Sequence, residues 1–264
     1  MTASDDAADA ARALWASGEY RRVSDLLLDQ SRRLVEWSGL GPGDRVLDVA
    51  AGTGAASLPA AEAGALVTAT DLTAELLEIG ARTARERGLD LEWRAADVTA
   101  LPFADSSYDV VLSAIGAMFA PDQRATADEL VRVCRPGGTV AMANWTARGG
   151  ADRFFQVLAP YLPPPQPGPA PTDWGDPDHV AALFGDRVDL VTEEAEVELD
   201  FDGGPDELAE LYLTCFPPVV VTLAGLTPEQ RAGYARDLTR FFRDEYAASG
   251  GVRYDYLLVR ATVH

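Results

Sequence analysis

The segment of the sequence with the clearest chemical character covers residues 46–54, which read VLDVAAGTG. Its apolar first part predicts a short buried strand, and Gly52 and Gly54 follow where that strand ends. Glycines at such a point let the backbone come close to a ligand. Asp48 lies on the strand just before the loop. A carboxylate at this place favours a cationic ligand over a ligand with a phosphate group. The pattern therefore predicts a binding loop that prefers a positively charged group.

Two kinds of cofactor compete for a loop of this type. A dinucleotide such as NAD is bound by the pattern G-x-G-x-x-G, but counting from Gly52 puts Ser57 at the third glycine position. S-adenosylmethionine carries an ammonium and a sulfonium group and has no phosphate, so it matches the carboxylate of Asp48. The loop thus favours S-adenosylmethionine over NAD.

The elements around this loop alternate between strand and helix. Short apolar runs predict strands at 45–50, 66–71, 91–95, 109–114 and 139–145. Helical spacing of apolar residues predicts helices on Leu72, Leu76 and Ile79, on Ala127, Leu130, Val131 and Cys134, and in the region before Gly41. Such alternation is typical of βαβ units and predicts a parallel sheet with right-handed crossovers.

The C-terminal third has a different pattern. Strict alternation of apolar and acidic residues over 194–202 predicts a strand with one buried face. Helices are predicted at 205–215 and, after a capping box, at 227–249. A last strand is predicted at 253–263, and a proline-rich stretch at 163–171 predicts an extended connector.

Together these elements predict an α/β fold. We expect a Rossmann-like, seven-stranded and mostly parallel sheet flanked by helices. N-terminal helices precede the sheet, and a helical cap at 205–248 is inserted before the last strand. The expected organisation is therefore an N-terminal helical region, 1–40, followed by one domain, 41–264.

The loop at 48–54 resembles motif I of the class I S-adenosylmethionine-dependent methyltransferases, usually acidic-x-Gly-x-Gly-x-Gly, with Ala50 at the first glycine position. Three further motifs of that family follow in order, and they are Asp71 at the end of the second strand, Ala96-Asp97-Val98 with Leu101-Pro102-Phe103, and Arg135-Pro136-Gly137-Gly138. The matches cover about 44–146. Residues 113–122 and 143–146 resemble a bacterial small-molecule branch, akin to the ubiquinone/menaquinone-type enzymes.

The resemblance implies a set of residues that bind S-adenosylmethionine. They are Asp48, Ala50, Ala51, Gly52, Thr53, Gly54, Asp71, Leu72, Asp97, Val98 and Ser113. At Ala50 we expect a small backbone adjustment and no loss of binding. Simpler roles stay open as alternatives: Asp48 as a turn cap, Asp71 as a helix-start charge, Asp97 as a turn former and Ser113 as a strand-end backbone contact.

Aromatic side chains are the candidates for a pocket that binds the methyl acceptor, with a place in the core as the alternative for each. They are Trp15, Tyr20, Phe119, Trp145, Trp174, Tyr212 and Phe216. N-terminal helices of the family commonly close over the cofactor, so the resemblance implies that 1–40 forms a lid. His179, near the start of a predicted short helix, is a candidate general base, and a helix-start residue without chemistry is the alternative.

The composition restricts mechanism and partners. The 264 residues include 22 basic and 42 acidic side chains, which gives a net charge of −20, and there is no lysine. Schiff-base chemistry on a lysine and a lysine-bearing P-loop are therefore excluded. The negative charge argues against nucleic acid and anionic membranes as partners. No metal site is expected, because the histidines and cysteines are scattered.

The cellular location is also predicted from the sequence. The first residues lack the pattern of a signal peptide, and no apolar run approaches the roughly 20 residues of a spanning helix. Two distant cysteines, Cys134 and Cys215, suit a reducing compartment. We therefore expect a cytoplasmic protein, as a monomer or a homodimer.

The expected activity is transfer of a methyl group from S-adenosylmethionine to an oxygen, nitrogen or carbon atom of a small molecule, such as a secondary metabolite. S-adenosylhomocysteine would be the second product. One alternative is a cyclase or isomerase of the same fold that binds S-adenosylmethionine without methyl transfer. Another is a catalytically silent protein that binds a cofactor or a partner. Neither the acceptor nor the attacked atom follows from the sequence.

Overall fold

A computed structural model describes residues 3–162 and 168–264. Within them a seven-stranded sheet has the order β3-β2-β1-β4-β5-β7-β6. The strands are Arg45–Val49 (β1), Leu66–Asp71 (β2), Glu92–Ala95 (β3), Tyr108–Ala114 (β4), Cys134–Trp145 (β5), Val188–Glu198 (β6) and Arg253–Val263 (β7). Strand β7 is antiparallel to β5 and β6, while β1 to β5 pair in parallel. The predicted α/β fold with a mostly parallel sheet is confirmed.

Helices cover both the N-terminal region and the connections between strands. In the described residues they are Ala3–Trp15 (α1), Tyr20–Ser24 (α2), Leu28–Ser38 (α3), Ser57–Glu62 (α4), Ala74–Glu86 (α5), Gln123–Val133 (α6), Gly150–Leu158 (α7), Pro177–Phe184 (α8), Pro205–Cys215 (α9), Pro217–Gly225 (α10) and Pro228–Ser249 (α11). Short 3₁₀ turns join several of them. Of the predicted connector at 163–171, residues 163–167 lie outside the described residues.

The direction in which the strands are added reverses beside β1. Strand β2 follows β1 on one side, and β4 pairs with its other side, so that Asp48 lies between Ala69 and Leu112. In open α/β sheets, the loops at the carboxyl ends of the strands separate at such a point and leave a crevice. The loop at 50–56 therefore opens into the natural ligand site of this fold.

Two predicted helices are shifted at their ends. Helix α5 begins at Ala74, so Leu72 precedes it, because Thr73 is extended and its N–H donates to the Asp71 carboxylate (2.8 Å). Helix α6 ends at Val133, and Cys134 already belongs to β5. The prediction that Leu72 and Cys134 lie within helices is therefore wrong, although both are one or two residues from one.

The predicted strand at 194–202 is wrong in its bounds. Strand β6 ends at Glu198, and the chain then leaves the sheet, where the Asp200 N–H donates to the Leu26 carbonyl oxygen (3.1 Å). Leu199 is still buried beyond the strand, which explains why the apolar alternation continues past it.

The two long C-terminal helices have the predicted bounds. Helix α9 ends at Cys215, and the capping box of α11 is formed between Thr227 and Gln230. Helix α10 was not predicted, because Pro217 and Pro218 suggested only the end of a helix. Proline also fits the first turn of a helix, where its missing N–H costs no hydrogen bond.

Helices from both ends of the chain meet over the carboxyl edge of the sheet. Helix α1 contacts α10, and α2 contacts α9. The Glu19 N–H donates to the carbonyl oxygen of Cys215 (3.0 Å), which joins the two regions directly. Across the described part of the chain, no single helix is long and apolar enough to cross a membrane. Helices α9 and α10, which are bent relative to each other, are together long and apolar enough by length and composition alone.

Candidate active site

The loop after β1 is held in place by strand β2. The Ala51 N–H donates to the Thr70 carbonyl oxygen, and the Gly52 N–H donates to Oδ2 of Asp71, both at 2.8 Å. Gly52 and Gly54 have positive φ angles of 56° and 87°, which glycine adopts without strain. The loop therefore turns sharply, and its residues 50–53 line the crevice.

Asp71 uses both carboxylate oxygens for backbone contacts. One oxygen accepts from Gly52 and the other from the Thr73 N–H, also at 2.8 Å. Burial raises the pKa of Asp71 above its ordinary value, although these backbone donors oppose the shift. Each oxygen keeps a further lone pair, so the carboxylate can still accept hydrogen bonds from hydroxyl groups of a ligand.

Asp48 is a buried carboxylate of the crevice that is only partly satisfied. It is 1% exposed, and its Oδ2 accepts a hydrogen bond from the Ser57 hydroxyl at 2.5 Å. Its Oδ1 has no partner among the described residues. Burial, with a smaller contribution from the Asp71 charge, raises the pKa of Asp48 to about 7. A cationic ligand group beside Oδ1 would give that oxygen a partner and would stabilise the ionised form of Asp48.

Ala50 is accommodated because Gly116 has no side chain. Ala50 has a φ of 49°, in the left-handed region that glycine normally occupies. A Cβ atom on Gly116 would lie 2.6 Å from the Ala50 methyl and 2.2 Å from the Ala50 carbonyl oxygen. The neighbouring Ile115 also has a positive φ, 68°. Backbone strain is therefore concentrated where β1 and β4 end, as is common at ligand sites.

A cavity of about 370 Å³, here called the outer cavity, lies over this loop. The predicted cofactor residues that line it are Asp48, Ala50, Ala51, Gly52, Thr53, Asp71, Leu72, Asp97 and Val98. Asp97 also forms the predicted turn, since its Oδ1 accepts from the N–H and the hydroxyl of Thr99. The turn-forming and cavity-lining roles of Asp97 are thus compatible.

Two predicted cofactor residues do not line the outer cavity. Gly54 faces the other way, and a Cβ there would meet the Trp93 ring at 2.6 Å, so its role is close packing. Ser113 is fully buried, and its hydroxyl accepts from the Ala117 N–H (3.0 Å). For Ser113 the structure favours the alternative of a strand-end backbone contact.

A second, smaller cavity of about 60 Å³, here called the inner cavity, adjoins the outer one. Six of the predicted aromatic residues line it, and they are Trp15, Tyr20, Phe119, Trp145, Tyr212 and Phe216. The first three line both cavities. Trp174 lines neither one, because it is completely buried and packs 6.2 Å from the Phe184 ring.

Several residues of the inner cavity were not predicted. They include Gln30, Ile115, Phe154, Phe155 and Tyr254. Gln30 had a usable signal, because it lies three residues after Leu27 and four before Leu34, on the apolar face of α3. A polar residue on such a face is either satisfied locally or turned toward a ligand.

His179 does not reach either cavity. Its Nε2 lies 2.7 Å from Oε1 of Gln123, so the pair joins α8 to α6.

Tyr20, by contrast, lines both cavities, and burial together with the Asp71 charge raises the pKa of its hydroxyl to about 12. Tyr20 therefore stays protonated at neutral pH.

Sequence comparison connects this geometry to a family. The model of a methyltransferase domain matches residues 46–138, which contain the loop, Asp71 and Asp97. An uncharacterized protein of Mycobacterium tuberculosis is 42% identical over 255 residues, which cover 95% of this chain and 93% of that protein. The chain belongs to the class I S-adenosylmethionine-dependent methyltransferases.

Other relatives of this methyltransferase are more distant. Demethylmenaquinone methyltransferase of Renibacterium salmoninarum is 40% identical over 133 residues, covering 48% of this chain and 54% of that protein. Among solved structures, geranyl diphosphate methyltransferase in complex with S-adenosylmethionine has a TM-score of 0.55 and 21% identity, covering 90% of this chain and 85% of that one. The cyclase SpnF has a TM-score of 0.56 and 18% identity, with coverages of 94% and 84%. These structures share the fold of the methyltransferase.

The outer cavity fits the cofactor of this family. Asp48 offers an unpartnered carboxylate oxygen to a cation, and Asp71 offers lone pairs to hydroxyl groups. Leu72 and Val98 add apolar surface for a base. Of the residues that the structure describes, no arginine or histidine lines the outer cavity, so it lacks the side chains that would favour a pyrophosphate.

Proposed function

We propose that this methyltransferase acts on a small molecule, such as a secondary metabolite, and methylates an oxygen, nitrogen or carbon atom of it. The observation that carries the proposal is that the two cavities adjoin. Trp15, Tyr20 and Ile115 line both, so the reactive end of a cofactor in the outer cavity would face a ligand in the inner one. An in-line displacement requires such a junction.

The proposed mechanism relies on positioning. Asp48 holds the charged methionine end of the cofactor, Asp71 orients the ribose hydroxyls, and Leu72 and Val98 hold the adenine. S-adenosylmethionine, when bound, supplies an electrophilic methyl group. The aromatic side chains orient the acceptor and exclude water from the junction. A sufficiently nucleophilic acceptor, such as an amine or an acidic phenol, then needs no strong base.

We also propose that residues 1–40 act as a lid over both cavities and residues 205–248 as a cap over the inner one. The contact between Glu19 and Cys215 and the edge-to-face contact of Trp15 with Phe216 (6.5 Å) support this proposal, because they join the two regions above the inner cavity. The net charge of −20 supports a small-molecule acceptor over nucleic acid or an anionic membrane. A cytoplasmic monomer or homodimer remains the proposed state of the protein.

A cyclase or isomerase that keeps S-adenosylmethionine without using its methyl group is the second candidate. The cyclase SpnF shares the fold of this chain, so the fold is compatible with that chemistry. The two candidates differ in one product. Only methyl transfer releases one S-adenosylhomocysteine for each substrate molecule converted.

The experiment that tests the proposal incubates the purified protein with a metabolite extract and S-adenosylmethionine labelled in its methyl group. Mass spectrometry follows the metabolites, and S-adenosylhomocysteine is measured in the same sample. We expect a labelled product together with an equal amount of S-adenosylhomocysteine. Conversion of a metabolite without label or S-adenosylhomocysteine would support the cyclase or isomerase instead.

A further inference from the structure

The two cavities of the site differ in charge. Carboxylates of Asp48, Asp71, Asp97 and Asp122 line the outer cavity. The inner cavity, as far as the described residues show, is lined by no aspartate, glutamate, arginine or histidine. A charged group placed there without a partner would lose its hydration without compensation. The inner cavity therefore suits a neutral part of a ligand.

Gln30 is a polar side chain in this apolar cavity. It is 2% exposed, and it lines the inner cavity but not the outer one. Its Nε2 has no hydrogen-bond partner among the described residues. Buried amide groups in folded proteins are nearly always hydrogen-bonded, and one left without a partner is destabilising. The missing partner is best supplied by a ligand atom that accepts a hydrogen bond.

We propose that Gln30 determines the specificity for the methyl acceptor, by donating a hydrogen bond from Nε2 to an uncharged oxygen of that molecule. The inference rests on the proposed function, since it assigns the inner cavity to the acceptor. The chemical class is a neutral ring compound with a carbonyl or hydroxyl oxygen. The aromatic walls fit a flat ring, since Phe154 already contacts Tyr212 and Phe216 edge to face, with centroids 5.1 and 5.6 Å apart.

A cationic amine is the main competing occupant, because aromatic cavities also bind cations. An ammonium group has only donors, so it would leave Nε2 of Gln30 without a partner. Tyr212 and Tyr254 cannot balance its charge either, because burial raises the pKa of each hydroxyl above its ordinary value and keeps both protonated. Tyr254 donates to the Tyr212 oxygen (3.4 Å), which leaves the Tyr212 hydroxyl proton as a second donor for an oxygen.

Four single-ring probes of nearly the same shape test this assignment. They are acetophenone with a neutral carbonyl, α-methylstyrene with no hydrogen-bonding group, benzoate as an anion and benzamidinium as a cation. Their affinities for the protein saturated with S-adenosylhomocysteine are measured by ligand-observed NMR titration. We expect acetophenone to bind about three- to tenfold more tightly than α-methylstyrene, which corresponds to one net hydrogen bond. Benzoate and benzamidinium should bind more weakly than both.

Two substitutions connect the preference to Gln30. Gln30→Leu should remove the advantage of acetophenone and leave α-methylstyrene binding unchanged or tighter. Gln30→Glu has no donor when its carboxyl is ionised, so at a pH above its pKa, which burial raises, it should weaken acetophenone binding and make benzamidinium the tightest probe. Gln156 is an exposed glutamine on α7. Gln156→Leu serves as the control and should keep the wild-type order of probe affinities.

The outcomes separate this inference from the proposed function. Equal binding of acetophenone and α-methylstyrene to the wild-type protein, or benzamidinium as its tightest probe, would overturn the role of Gln30. If Gln30→Leu does not fold, Gln30→Glu supplies the comparison with the wild-type order of affinities. Calorimetric binding of S-adenosylhomocysteine is measured for the same samples without probe. Absence of S-adenosylhomocysteine binding would contradict the proposed function. Binding of S-adenosylhomocysteine together with equal affinities for the probes would contradict only the inference about Gln30.

Discussion

At the scale of single residues, the cofactor site depends on two buried carboxylates with different tasks. Asp71 shapes the loop through Gly52 and Thr73, whereas Asp48 leaves one oxygen without a partner. The motif predicts an acidic residue at each position, but it cannot show which one is satisfied by the protein itself. That difference depends on Ser57 and on burial, which are properties of the folded chain.

The first prediction concerns the pH dependence of cofactor binding. A cation binds to the ionised form of Asp48, whose pKa in the free protein is raised to about 7. The affinity for S-adenosylhomocysteine should therefore fall as the pH decreases through 7. Asp48→Asn should bind about 10- to 100-fold more weakly at pH 8, as expected for the loss of a charge-assisted hydrogen bond, and should lack this pH dependence. Calorimetry at several pH values measures both effects, and exposed Asp178→Asn is the control.

The second prediction concerns the stability of the protein without ligand. The pKa of Asp48 is about 7 in the folded protein and near 3.8 when unfolded. The stability that protonated Asp48 contributes is thus fully present below the unfolded value and is lost as the pH rises through 7. Asp48→Asn should raise the melting temperature by a few degrees at pH 8 and change it little at pH 4. A melting temperature of Asp48→Asn below that of the wild type at pH 8 would contradict the burial assigned to Asp48.

The third prediction tests the contact between Ala50 and Gly116. Gly116→Ala places a methyl group against the Ala50 carbonyl oxygen and methyl, neither of which can move without the loop. Such overpacking should cost about 1–3 kcal/mol and weaken S-adenosylhomocysteine binding. Ala50→Gly combined with Gly116→Ala should restore part of the lost stability and part of the lost affinity for S-adenosylhomocysteine. Gly225→Ala, where nothing lies within 4 Å of the added methyl, should be neutral in thermal unfolding.

At the scale of elements, the parts predicted best are those specified by short stretches of sequence. Strands β1 and β2 and the loop at 50–56 follow from a local pattern of apolar and small residues. The inner cavity does not, because its walls come from α1, α2, α3, α7 and α9 and from the ends of β4, β5 and β7. No local pattern shows that Trp15, Phe154 and Tyr254 line the same cavity, since this depends on how distant elements pack.

The fourth prediction tests the proposed lid formed by the N-terminal helices. Trp15 lines both cavities and packs on Tyr20 (5.3 Å) and Phe119 (5.5 Å). Trp15→Ala should speed the dissociation of S-adenosylhomocysteine about tenfold, because it removes buried apolar surface that closes the site. Trp15→Phe keeps most of that surface and should differ little from the wild type. Stopped-flow dissociation measures the rates, and an unchanged rate in Trp15→Ala would contradict a lid.

At the scale of the whole molecule, charge is distributed according to the chemistry of the two cavities. The chain is strongly acidic, and four of its carboxylates line the cavity assigned to a cationic cofactor. The absence of lysine leaves few strong bases, and His179 is committed to a contact between two helices. Catalysis by positioning fits this distribution better than general-base catalysis by histidine or lysine.

The most direct test of the account is calorimetric titration of the purified wild-type protein with S-adenosylhomocysteine and, separately, with NAD. The outer cavity has carboxylates, an unpartnered Asp48 oxygen and a loop without the third dinucleotide glycine. We therefore predict saturable one-to-one binding of S-adenosylhomocysteine and no binding of NAD. Absence of S-adenosylhomocysteine binding, or tighter binding of NAD, would contradict the assignment of the outer cavity as the cofactor site.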